Sequence, residues 1–229
     1  MFEFQFYALA VLLIAGLALL LRRAGNWVQG FLLGMAAWMA YISMLGYSGV
    51  LHDFSPPPRI LLLVVIPAFG IISWVFLTDR HRLLLDAVPP WVPMVFQSFR
   101  VWVEFLLLGA YLRGLASAEP TMAGYNVDIL VPLSGLALAF LVYKKRVLTE
   151  KWVFVWNVAG LCILASVVFT FLTLAAFPSL WGYETTTVKP VLGEMPYLLV
   201  AGFFMPVAVF MHIFSMIQTR QTSRVAHSG

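Results

Sequence analysis

Apolar residues fall along this chain in seven blocks, each separated from the next by a short run of charged, proline or glycine residues. The blocks cover roughly 4–21, 28–51, 60–78, 92–113, 126–143, 152–175 and 195–218. At about 1.5 Å of rise per residue, each is long enough as a helix to cross a hydrocarbon core of about 30 Å. The pattern predicts an all-α chain: a single bundle of seven transmembrane helices over 1–218, followed by a frayed, disordered cytosolic tail at 219–229. The longest gap, 176–194, is too short to fold alone, so no soluble domain is expected.

Composition agrees with the pattern. Of 229 residues, 62% are hydrophobic and 10% are charged, against roughly 25% charged in a soluble domain. The net charge of +4 is not a nucleic-acid signal, because the basic residues sit in short loops, where they set orientation. Arg22 and Arg23, Arg80 and Arg82, Lys144, Lys145, Arg146 and Lys151, and Arg220 and Arg224 follow blocks one, three, five and seven. The opposite side holds Arg59, Arg113 and Lys189. The positive-inside rule then places the N-terminus outside and the C-terminus in the cytosol of a bacterial cell membrane. The first block reads as a retained helix rather than a signal peptide: its start, MFEF, is acidic, and its arginines follow the apolar run. The single cysteine, Cys162, excludes an intrachain disulfide.

Chemistry enters with a polar stripe in the fourth block. Gln97, Arg100 and Glu104 recur at spacings of three and four residues inside WVPMVFQSFRVWVEFLLLGAY, so they share one helix face. An arginine or an aspartate at mid-membrane costs about 2.5–3.5 kcal/mol on insertion scales, and charged side chains there serve a partner or a task. The i, i+4 spacing predicts that Arg100 and Glu104 satisfy each other. The alternative is that they line a hydrated cavity, Arg100 holding an anionic group or Glu104 carrying a proton. Depth along the alternating helices puts Arg100, Asn157 and His212 in one layer, Asp128 near the outer end of the fifth helix, and Tyr41 with Trp38 at mid-depth of the second. His212 either donates to a carbonyl of a neighbouring helix or titrates. No metal site is expected, since His52, His81 and His227 lie in loops and tail, away from His212; the same count disfavours a bis-histidine haem.

Other features read as packing. Gly30 and Gly34 form a small-xxx-small face, Gly46 and Gly49 thin the outer end of the second helix, and Gly160 flattens the sixth beside Asn157. Pro67, Pro132 and Pro206 should kink their helices and free carbonyls that neighbours must satisfy. HDFSPPPR at 52–59 is a stiff connection ending in an interfacial Arg59, and WGYETTTVKP at 181–190 is a loop or a cap over the outer mouth. The prolines of the third and seventh helices echo each other weakly, as a three-one-three transporter plan requires, but Pro132 has no counterpart in the first helix. The last helix has no lysine for a retinal Schiff base.

FRVWVE at 99–104, GYNVDIL at 124–130, WNVAG at 156–160 and FMHIFSM around His212 are together similar to an uncharacterised family of bacterial seven-helix integral membrane proteins. There an R-x-x-x-E pair, an N-x-D-I segment, a W-N pair and a late-helix histidine recur in that order. The resemblance implies one seven-helix unit with Arg100, Glu104, Asn126, Asp128, Trp156, Asn157 and His212 as its interesting positions, and it supplies no mechanism or cofactor.

The function expected from these residues is binding of a small molecule or lipid in an intramembrane polar pocket, in the service of transport or sensing. The candidate positions are Gln97, Arg100, Glu104, Asn126, Asp128, Trp156, Asn157, His212 and Tyr41. Two alternatives stay open: a membrane-embedded enzyme acting on a lipid or isoprenoid, with Glu104 or Asp128 as acid or base and His212 as partner, and an assembly or scaffold subunit. Membrane lipids are the expected partners, and nucleic acid is not.

Overall fold

The computed structural model describes residues 1–22, 28–78 and 82–228. Arg23, Arg80 and His81, invoked for topology and metal binding, lie outside the described residues, as do the side chains of Arg224 and His227. Seven long helices form an all-helical bundle: α1 Phe4–Arg22, α2 Val28–Ser48, α3 Leu61–Leu77, α4 Val92–Leu112, α5 Leu130–Lys144, α6 Glu150–Ala176, and α7, which runs Val200–Phe204 and on through Met205–Ser228. α1, α2, α4, α6 and α7 are long and apolar enough to cross a membrane, and α3 and α5 are shorter apolar helices. The chain is thus built as a membrane protein.

α7 is the central helix. In its most apolar stretch 61% of residues are buried, against 11% for α2, and it packs on α6, α4 and α3. α2 therefore spends its apolar surface on the bilayer, which asks of it no hydrophobic seam. The main core gathers Phe6, Ile42, Leu106, Leu174, Phe203 and Phe204 from five helices.

Two of the prolines act as expected, and in the same way. One wide π turn precedes each: Leu61–Val65 before Pro67 and Val200–Phe204 before Pro206. Proline has no N–H to offer the carbonyl four residues back, here Leu63 and Gly202. α2 supplies both missing donors, Tyr41 Oη to the Leu63 carbonyl at 2.8 Å and Trp38 Nε1 to the Gly202 carbonyl at 2.7 Å. Tyr41 thus has a structural task, supplying the donor that Pro67 lacks. Pro132 does not kink its helix. α5 starts at Leu130, so Pro132 falls in the first turn, where backbone N–H groups have no intrahelical partner to lose.

That late start also moves the expected fifth span, 126–143. Asn126 Oδ1 accepts the Asp128 N–H at 2.7 Å, a local turn that competes with helix and leaves 126–129 outside it. α2 likewise ends at Ser48, because Gly49 takes a left-handed φ of 71°. α4 is broken near Gln97 and Ser98, between Val92–Phe96 and Phe99–Leu112.

The glycines divide. A methyl on Gly46 would meet Met195 at 3.1 Å, and one on Gly160 would stand 2.5 Å from His212, so both mark close approaches. Gly30 and Gly34 do not: nothing lies within 4 Å of an added methyl at either. They line an apolar recess of about 570 Å³ with Met35, Trp38, Ala68 and Phe210, correcting the expected helix-packing face. Small residues permit close approach without compelling it.

At the end of the bundle holding residue 1, loops fold over the helices. His52 pairs with Glu194 at 2.9 Å, Arg59 with Asp53 at 3.1 Å, and Tyr183 with Glu119. Trp181 Nε1 donates to Thr173 at 3.0 Å. Burial works against the Glu119 charge, but hydrogen bonds from Tyr183, its own backbone and Ser117 outweigh it and hold the carboxyl below its ordinary value.

Candidate functional site

The site grows from Arg100, 2% exposed at the start of the longer piece of α4. Its guanidinium makes a two-pronged pair with Asp128: Nε donates to Oδ2 at 2.9 Å, and Nη2 donates to Oδ1. The third nitrogen, Nη1, lies 2.8 Å from His212 Nε2. A guanidinium only donates, so Nε2 accepts, the imidazole is neutral, and its proton sits on Nδ1. Nδ1 in turn faces Asn157 Oδ1 at 2.8 Å, and Asn157 Nδ2 donates to Ser215 Oγ at 2.9 Å and to the Val153 carbonyl at 2.8 Å. The sequence thus gathers one continuous relay from four places: Asp128, Arg100, His212, Asn157, Ser215.

This arrangement corrects the expected Arg100–Glu104 pair. One turn apart on a helix the two side chains are neighbours, but the 126–129 loop lays Asp128 flat against the guanidinium, and the planar fork matches that carboxylate on both prongs. Each of the three nitrogens is thus engaged once, with the paired carboxylate of Asp128 already balancing the charge of Arg100. Glu104, 2% exposed, takes Asn126 instead: Nδ2 donates to Oε2 at 2.8 Å and also to the Pro120 carbonyl at 3.0 Å.

The remaining expected positions frame the relay. Trp156 packs its ring on His212, centroids 5.1 Å apart, and donates Nε1 to Ser134 at 3.0 Å. Gly160 leaves room for the imidazole. Gln97 ties α4 to α7 through Nε2 to the Ala208 carbonyl at 3.0 Å, while its buried Oε1 has no donor. The sequence reading missed Ser215, legible only as a polar residue three positions past His212 on the same face. It also missed Thr121, fully buried beside the cavity described next.

Arg100, Glu104 and Asp128 form the polar wall of a cavity of about 140 Å³. Apart from Thr121 the rest of the lining is apolar or aromatic, supplied by α1, α3, α4, α6, α7, the loop carrying Pro120 and the segment with Leu192 and Tyr197. The relay half of the cluster, His212, Asn157 and Ser215, does not border this cavity. Among the described residues, no three His, Cys, Asp or Glu side chains converge as a metal-ligand set. No protein-family model matches the chain, and it has no significant match among curated proteins or solved structures.

Proposed function

We propose that this is a multi-pass protein of a cell membrane, N-terminus outside, that binds a small molecule in the cavity walled by Arg100, Glu104 and Asp128, for transport or sensing. One observation carries the reading: Glu104, a buried carboxyl that accepts from the Asn126 amide rather than from a cation, borders a void whose wall beyond Arg100, Asp128 and Thr121 is mostly apolar or aromatic. Buried polar groups are satisfied in nearly every fold, and the exceptions concentrate where something else is to bind. A void near 150 Å³ admits a benzene-sized molecule, so the occupant has about that bulk.

The enzyme alternative draws no support from His212. Both its nitrogens are occupied and it stands away from the cavity, so it is not available to move a proton to a bound substrate. A purely architectural role suits the satisfied relay from Asp128 to Ser215, and leaves Glu104 unexplained. The resemblance to bacterial seven-helix proteins is compatible with this reading and adds no activity to it.

Native mass spectrometry and melting of the same preparations test the proposal. Protein extracted gently into nanodiscs should carry a small co-purifying mass that Glu104→Gln and the cavity-filling Leu164→Trp both release, with melting within a few degrees of the parent. If no such mass is bound, or if it persists in both variants, the cluster is structural and the assignment is wrong.

A further inference from the structure

Three charged side chains border the cavity, and they do not balance. Arg100 carries one positive charge; Asp128 and Glu104 offer two carboxyls. Asp128 takes both prongs of the guanidinium. The imidazole of His212 is neutral by its hydrogen bonds and adds nothing. Asn126, which donates to Glu104 Oε2, is uncharged. An ionised Glu104 therefore leaves this cluster one negative charge in excess, which a largely apolar enclosure accepts only with a bound counter-charge or a proton in its place.

The rest of the wall is suited to a particular partner. Phe6, Phe99, Phe171, Tyr197 and Phe204 surround the void. Aromatic faces attract a cation and repel an anion, and the attraction grows once water is excluded. A carboxylate at one end of an aromatic enclosure selects an ammonium group on a small apolar body.

We infer that the ligand of this cavity is a small lipophilic cation, an ammonium of about ring size, whose charge is met by Glu104 and whose body lies among the five aromatic side chains. The inference rests on the binding role proposed above and names the class of molecule bound. Arg100 acts as a positioning residue: by pairing with Asp128 it leaves Glu104 as the carboxyl on this wall without a guanidinium partner.

Benzylammonium and benzyl alcohol serve as probes of equal shape and different charge, at neutral pH where an alkylammonium is fully protonated. Binding of each to the full chain in nanodiscs is measured by calorimetry, for the parent protein, Glu104→Gln and Leu164→Trp. The ammonium should bind at least 10-fold tighter than the alcohol. Glu104→Gln should erase that preference while keeping the alcohol, which reports that the cavity persists, and Leu164→Trp should exclude both. If the alcohol binds as tightly as the ammonium in the parent protein, Glu104 carries its own proton and the inference fails, while the binding role stands. If neither probe binds the parent protein, the binding role fails with it. The parent comparison decides even where Glu104→Gln does not fold.

Discussion

Removing Arg100 should be the most damaging single polar change in this protein, and more damaging than removing its partner. Arg100→Leu leaves Asp128 and Glu104, two buried carboxyls, without a positive charge, and also strips His212 Nε2 of its donor. Asp128→Leu leaves one guanidinium with Glu104 a turn away on the same helix to take up part of the charge. Breaking a buried ion pair from one side costs about 3–5 kcal/mol. We expect Arg100→Leu at the upper end or beyond and Asp128→Leu at the lower end. At roughly 2–4 °C per kcal/mol for a chain of this length, the melting points should fall by about 6–20 °C. The double variant should recover part of the loss, a coupling of about 1–3 kcal/mol for groups in contact. Arg100→Leu with Glu104→Leu should show much weaker coupling. Reversible unfolding in mild detergent measures the parent and all five variants, Glu104→Leu alone included. Additive losses for Arg100 and Asp128, or stronger coupling of Arg100 to Glu104, would refute the assignment of the ion pair.

Three further outcomes follow from the geometry. Gly160→Ala puts a methyl 2.5 Å from His212 Cε1 and should destabilise by about 1–3 kcal/mol, whereas Gly30→Ala enters open space and should be neutral or stabilising by about 0.5–1 kcal/mol; equal melting shifts would contradict both placements. Tyr41→Phe strands the Leu63 carbonyl and should cost about 1–3 kcal/mol, a loss that shrinks in a Pro67→Ala background, where the backbone regains a donor; an unchanged loss there would break the link between kink and hydroxyl. In a Cys162→Ser chain, cysteines replacing the exposed Ser55 and Thr186 should react with an impermeant thiol reagent outside intact cells and one replacing the exposed Val147 should not; the reverse labelling would invert the topology.

The helical architecture was legible because its cause is local: apolar blocks of spanning length have few other solutions in a bilayer. The layer shared by Arg100, Asn157 and His212 was legible too, since rise per residue fixes depth, and the hydrogen bonds joining them agree with it. What failed was partner choice. Arg100 and Glu104 are adjacent in helix register, but adjacency supplies a neighbour and not a geometry, and Asp128 reaches the guanidinium from a loop whose path depends on an Asn126 turn. Gly30 and Gly34 failed for a related reason: a pattern shows where helices can approach, and only the packing of α1, α3 and α7 decides that they do not.

The same distinction explains why two halves of one polar cluster read so differently. From Asp128 to Ser215 each donor meets an acceptor, and the chain of bonds crosses from the loop before α5 through α4 and α7 to α6. Such a fully satisfied network fixes the relative positions of three helices, and its residues are replaceable only together. Glu104 hangs from the edge of that network by a single amide, on the side where the cavity lies. For the proposed binding role these are complementary requirements: a carboxyl can discriminate among ligands only if the protein around it cannot relax to pair with it. The relay holds Arg100 on Asp128, and so keeps the nearest positive charge from turning to Glu104.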